Sequence, residues 1–290
     1  MARHSGGLMR FFSFEAMKVL LKGSRHEFGL DVVHPSTGFM SAMDSLRYSP
    51  QRRWYKNRDI VRRHAMYDLY IANKNYSSWS LRPWVLMRTL GIAFEEKLVP
   101  FGEGVSFSTF SPTGKVPCLV DEGVTVWESL SIAEYLAERH QGVWASDKQA
   151  RAWSRSAASE MHAGFSSLRN LYPMSVGIRV TPKGGDAGLA ADIKRIDVLW
   201  SEGLSTFGGP YLAGQKFTAV DAFFCPVAFR FQTYGADLSP AAKAYCERLL
   251  ALPAMREWYE AGLKEMWRDP AHEDEIASIG KLTADLRAKA

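Results

Sequence analysis

At 290 residues and 47% hydrophobic, the chain can bury a sizeable core, and its length points to about two domains. A charged share of 23% and an aromatic share of 12% exclude an intrinsically disordered chain, and no run of about 18 apolar residues suggests a membrane span. Cys118, Cys225 and Cys246 are scattered and form no C-x-x-C pair, which indicates a reducing compartment and argues against a disulfide framework or a zinc site.

The formal charge of +5 is concentrated at one end. Residues 1–65 hold about 12 Lys/Arg against about 5 Asp/Glu, which leaves the rest mildly acidic. Phe11, Phe12, Phe14, Met17, Val19 and Leu20 could form one short amphipathic helix, and a basic stretch runs from Arg52 to Arg63. Residues 1–65 are therefore expected to be a basic, poorly ordered extension. Three origins stay open: an upstream start codon with the working protein beginning at Met66, a targeting peptide, or a nucleic-acid or membrane-binding arm.

From Met66 the pattern sharpens. Residues 67–72 alternate as a strand, and Asn73-Lys74-Asn75 make a turn. A helix is predicted from about Leu81, with Pro83 in its first turn and Gly91 as its stop. A second strand covers 94–99, and a hairpin at 118–126 turns on Asp121-Glu122-Gly123. A helix from Glu128 to about Glu138 completes a β-α-β, β-β-α unit over 66–141.

Everything after His140 is predicted helical, with a helical domain over 148–268 and a tail over 269–290. Helical spacing carries Ala157, Met161, Phe165, Leu168 and Tyr172, and again Leu189, Ile193, Ile196, Trp200 and Leu204. Thr218 and Asp221 have the spacing of a capping box, and Pro240 and Pro253 each punctuate a further helix.

Three stretches in fixed order carry the chemistry: Tyr76-Ser77-Ser78-Trp79-Ser80, Gly114-Lys115-Val116-Pro117 and Trp127-Glu128-Ser129. A β-α-β, β-β-α unit with a Val-Pro turn and an acidic-Ser step, joined to a helical domain with Thr-x-x-Asp, resembles the glutathione S-transferase family. The serine-rich helix start is most similar to the serine-type, zeta-like and bacterial branches. The resemblance covers about residues 66–266. It implies a thioredoxin-like N-terminal domain, an all-α C-terminal domain and glutathione as cosubstrate.

A thiol reacts as its thiolate, and a free one titrates near about 8.5, so the site must favour the anion. A helix N-terminus does so, and a donated hydroxyl adds to it. The resemblance implies that Ser77 is this donor, with Ser78 and Tyr76 as rivals and Ser80 as a helix cap. It further implies a cis Val116-Pro117 bond that leaves the backbone of Val116 to pair with the cysteinyl part of glutathione. Lys115 would reach the glycine carboxylate, Ser129 the γ-glutamyl carboxylate and Glu128 its amine. Candidates for the second substrate are Met161, His162, Phe165, Arg169, Tyr172 and Met174; Thr218 and Asp221 are read as structural.

Trp79 stands where zeta-like isomerases carry cysteine, which argues against maleylacetoacetate isomerisation. The absence of a cysteine near the strand–helix junction argues against mixed-disulfide chemistry. The expectation is a cytoplasmic, homodimeric detoxification transferase, without metal, nucleic-acid partner or membrane, acting on a small electrophile. The alternatives are a glutathione-dependent isomerase or dehalogenase on the same site, and a non-catalytic interaction module of the same fold.

Overall fold

Alternation decides the first sheet. In β1 (Tyr67–Ile71) the residues Tyr67, Leu69 and Ile71 are buried while Asp68 and Tyr70 are half-buried, as a strand with one core face requires. The computed structural model describes residues 67–289, so the expectations for 1–65 and for a start at Met66 lie outside the described residues. β2 (Phe94–Leu98) runs parallel to β1, while β3 (Cys118–Asp121) and β4 (Val124–Trp127) follow antiparallel, in the order β2-β1-β3-β4. The predicted hairpin forms, with Val120 opposite Thr125 and Cys118 opposite Trp127.

Two helices belong to this unit. α2 (Ser129–Ala137) buries Ile132, Ala133 and Leu136. α1 (Ser78–Leu90) buries Leu81, Trp84, Val85 and Leu86, and Gly91 ends it in the left-handed region at φ 69°, where a side chain would be strained. α1 begins three residues before the expected Leu81. Ser77 takes the N-cap position and its carbonyl accepts the Leu81 N–H at 3.2 Å, so Pro83 falls in the second turn rather than the first. Ser80, expected to cap, lies inside the helix and accepts the Ala72 N–H at 3.3 Å, tying helix to strand.

The helical half is built round α6 (Ala219–Tyr234), whose residues are nearly all buried. Around it are α3 (Lys148–Ala163), α4 (Ser166–Leu171), α5 (Ala187–Phe207), α7 (Pro240–Leu250) and α8 (Pro253–Lys264). Trp200 packs edge-on against Phe224, Phe231 and Tyr245, and Trp84 of α1 against Trp258 of α8, so one core runs through both layers. The Thr218–Asp221 capping box opens α6, with the Asp221 carboxylate accepting the Thr218 N–H at 2.9 Å.

Two expectations are corrected here. The region after His140 is not wholly helical: β5 (Ile178–Pro182) pairs antiparallel with β6 (Gly280–Asp285). Ile178 and Val180 are buried between the more exposed Arg179 and Thr181, a period of two in a segment flanked by helical spacings. Nor does the tail over 269–290 lack regular structure. α9 (Pro270–Ile279) and β6 return it to the body, where Leu286 N–H donates to Gly177 O at 2.8 Å and Ala288 N–H to Leu263 O at 2.7 Å. The Arg287 guanidinium, nearly buried, binds Glu273 and Asp285 and holds both carboxyls below their ordinary range.

Candidate active site

The loop between β1 and α1 is fixed from behind before it presents any hydroxyl. Glu265, at the C-terminal end of α8, accepts the Lys74 N–H at 2.6 Å, the Asn75 N–H at 3.2 Å and the Asn75 side-chain amide at 3.1 Å. Trp258 Nε1 donates to Lys74 O at 2.8 Å, and Asn73 O accepts from both Tyr76 and Ser77. The chain thus enters α1 in one conformation.

The three candidate hydroxyls then diverge. Tyr76 donates to Glu273 at 2.5 Å, stacks on His272 and sits beside Arg287. Burial and the Glu273 carboxylate push its phenol well up. The structure thus ties the Tyr76 hydroxyl to the C-terminal segment. Tyr76→Phe is expected to lower stability by about 1.5–3 kcal/mol, the size of one hydrogen bond to a charged acceptor, read by thermal unfolding. Ser77 Oγ donates to Ser80 Oγ at 2.7 Å. Ser78, the first residue of α1, accepts from Arg230 Nη2 at 3.2 Å.

The second and third stretches meet α1 at one cavity of about 160 Å³, lined by Trp79, Thr113, Lys115, Val116, Pro117 and Glu128. The Val116–Pro117 bond is cis, Pro117 is buried and Lys115 is exposed. Glu128 precedes α2 at φ 67°, a left-handed conformation uncommon for a residue with a side chain and typical of positions held for function. Ser129, 1% exposed, is the first residue of α2, where unpaired amides and the helix dipole favour an anion. A larger cavity of about 690 Å³ lies beside Trp144, between the end of α2 and the start of α6, and none of the three stretches reaches it.

Arg82 and Arg230 were not singled out by the sequence reasoning. Arg82 is 1% exposed, lies 4.0 Å over the Trp79 ring, and its Nη1 donates to Ser129 Oγ at 3.5 Å. Its Nε and Nη2 are buried without a hydrogen-bond partner among the described residues. Burial, followed by Arg169 and Arg230, lowers its pKa well below the ordinary range. Arg230 of α6 reaches Tyr172 O and Ser78 Oγ, and burial with Arg169 brings it down to about 10. A signal existed in each case: Arg82 lies one turn beyond Ser78 and Trp79, and Arg230 interrupts the apolar Phe229 and Phe231 of a buried helix.

The second-substrate candidates divide. His162 borders the site, 5.3 Å from Trp79 edge-on and 3.9 Å from Glu128; burial and Arg82 lower its pKa, which keeps it neutral near pH 7. Arg169 caps the end of α3, its Nε donating to Gly164 O at 2.9 Å and its Nη2 to the Met161 and His162 carbonyls. Phe165 is buried at φ 58° ahead of α4, and Tyr172 is buried and stacked on Tyr234 at 4.4 Å. Met161 and Met174 belong to the core.

Comparison with known proteins agrees with this geometry. Residues 76–139 match the family model described as Glutathione S-transferase, N-terminal domain, and residues 180–261 that of the C-terminal domain. The chain is 30% identical to glutathione S-transferase F13 of Arabidopsis thaliana, over 51% of this chain and 74% of that one. It is 26% identical to maleylacetoacetate isomerase of Rattus norvegicus, over 59% of this chain and 81% of that one. In structure it resembles a glutathione transferase homologue from Burkholderia gl BGR1 with bound glutathione, at a TM-score of 0.54 and 20% identity, covering 68% of this chain and 98% of that one. With both domain models matched in order and the sheet, cis turn and helical half in place, the chain belongs to the glutathione S-transferase family.

Proposed function

We propose that the protein binds glutathione in the cavity between the Val116–Pro117 turn and the start of α2, and transfers its thiolate to a small electrophile. The observation that carries this reading is the convergence on one cavity of Trp79, from the serine stretch, with Val116, Pro117 and Glu128. In it, Val116 pairs its backbone with the cysteinyl part and Lys115 meets the glycine carboxylate. Ser129 and the α2 amides hold the γ-glutamyl carboxylate, and Glu128 attracts its amine. A serine hydroxyl at the start of α1 steadies the sulfur, as Ser77 or its neighbour Ser78. The second substrate enters past Trp79 and His162. Catalysis then rests on proximity and preorganised charge rather than on a general base, and the thiol proton leaves to water. A homodimer working in the cytoplasm, with 66–141 and 148–268 as its two domains, completes the reading.

Calorimetric titration with glutathione tests it. The unaltered protein is expected to bind, and Ser129→Ala to bind about 10- to 100-fold more weakly, since a hydrogen bond to a carboxylate is lost. No heat with the unaltered protein would overturn the proposal. Turnover of a chloronitrobenzene set against a cis-dienoic diacid then separates transfer from isomerisation, the reaction named for the rat relative. Trp79, standing where zeta-like isomerases carry cysteine, supports the transfer reading.

A further inference from the structure

Two buried guanidiniums stand behind Ser129 and behind Ser78, one of the two candidate donors of the proposed site. Arg230 Nη2 donates to Ser78 Oγ at 3.2 Å, and Arg82 Nη1 to Ser129 Oγ at 3.5 Å. Among the described residues neither forms an ion pair, and Arg82 Nε, Arg82 Nη2 and Arg230 Nε are buried with no hydrogen-bond partner. The charges that face them come from four elements. Arg169 of α4 repels both, Glu128 before α2 attracts Arg82, Glu275 of α9 attracts Arg230, and His162 of α3 is held neutral beside Arg82. Arginine keeps its proton, so the site carries a surplus of buried positive charge. Such a charge is costly unless an anion answers it.

A hydroxyl whose oxygen accepts from a cation has its hydrogen left to give. Of the three candidate hydroxyls, Tyr76 gives its hydrogen to Glu273 and Ser77 gives its own to Ser80, whose oxygen also accepts the Ala72 N–H and so ties it to the strand. Ser78 only accepts among the described residues.

We propose that Arg230 and Arg82 are positioning residues that hold Ser78 and Ser129 by their oxygens and turn both hydrogens toward bound glutathione, Ser78 to the sulfur and Ser129 to the γ-glutamyl carboxylate. Ser78, rather than Ser77, is then the thiolate donor, and the helical half takes part in activating the thiol. The peptide anion becomes the missing counter-charge of the arginine pair. This rests on the glutathione reading above and assigns its donor.

The test is the pH titration of the thiolate absorbance of glutathione bound to the unaltered protein and to Ser77→Ala, Ser78→Ala, Arg230→Lys, Arg230→Gln and Arg82→Lys. Ser78→Ala and Arg230→Gln are each expected to raise the thiol pKa by about one pH unit, roughly a tenfold drop in thiolate near neutrality. Ser78→Ala combined with Arg230→Gln is expected to raise the pKa no further than either single substitution, because both remove the same hydrogen bond. Arg230→Lys is expected to recover part of the loss, and Ser77→Ala to move the pKa less than Ser78→Ala. Arg82→Lys is expected to weaken glutathione binding without moving the thiol pKa. Ser78→Ala and Ser77→Ala remove one atom each from an otherwise unchanged core, so they decide the matter even where Arg230→Gln folds poorly. If Ser77→Ala raises the pKa as far as Ser78→Ala, or further, the relay is overturned while the glutathione site stands. If the unaltered protein binds no glutathione, both fall.

Discussion

Asp221→Ala is expected to lower the unfolding free energy by about 3–5 kcal/mol, the largest effect of any single polar substitution in the helical half. The Asp221 carboxylate is wholly buried and accepts from Leu212 N–H at 3.0 Å, Thr218 N–H at 2.9 Å and Tyr245 Oη at 2.8 Å. It therefore joins the loop before α6, the first turn of α6 and the face of α7. Alanine leaves two backbone N–H groups and a phenol without acceptors inside the core, and each costs about 1–3 kcal/mol. α6 is the helix on which α1 and α3 pack, so the loss is global rather than a frayed end. Urea unfolding followed by circular dichroism measures it, and a loss below about 1 kcal/mol would refute the argument.

The same carboxyl gives stability a pH dependence. Burial pushes Asp221 up to about 6, above the value of about 4 that it has when unfolded. Between those values the folded chain keeps the proton and the unfolded chain has lost it. Its contribution is thus fully present below about pH 4 and is lost as pH rises toward about 6. Asp221→Asn is expected to remove that slope, because asparagine does not titrate.

The β-α-β, β-β-α unit was legible because each of its signals is local. Alternation marks 67–72, Gly91 stops α1 in a conformation that few other residues take, and Asp121-Glu122-Gly123 turns the hairpin. The Thr218–Asp221 box was legible for the same reason, as its spacing closes within one helical turn. The start of α1 was read three residues late because Ser77, Ser78 and Ser80 all resemble caps, and only the fold shows which one terminates the helix. β5 was hidden by the helical stripes on both sides, and its partner β6 lies roughly a hundred residues on. Arg82, Arg230 and Glu265 acquire their meaning only across the molecule: Arg230 and Ser78 are 152 positions apart, and Glu265 and Lys74 are 191 apart. No periodicity or spacing rule reaches such pairs, although a lone charge in an apolar helix is a reason to look for one.

Glu265→Ala is the second substitution expected to have a large effect, and it acts on the site as well as on stability. The carboxylate is 5% exposed and accepts the Lys74 and Asn75 N–H groups, so its loss leaves both donors buried and unanswered. A loss of about 2–4 kcal/mol follows from two such groups. Lys74 and Asn75 lie just ahead of Tyr76, Ser77 and Ser78, so the released loop no longer fixes the entry to α1. Hydrogen exchange at the Lys74 and Asn75 amides is expected to speed up ahead of global unfolding, and glutathione affinity to fall about tenfold as the hydroxyls lose their position. Glu265→Gln keeps one acceptor oxygen where the carboxylate had two, and should lie between the unaltered protein and alanine in both readouts. The two effects are separable, because Glu265 touches the loop and not the cavity: saturating glutathione should restore function to the folded fraction of Glu265→Ala, while exchange measured without glutathione stays fast. Unchanged exchange at Lys74 and Asn75 in the alanine variant would show that the turn holds itself, and that α8 has no part in placing the serines.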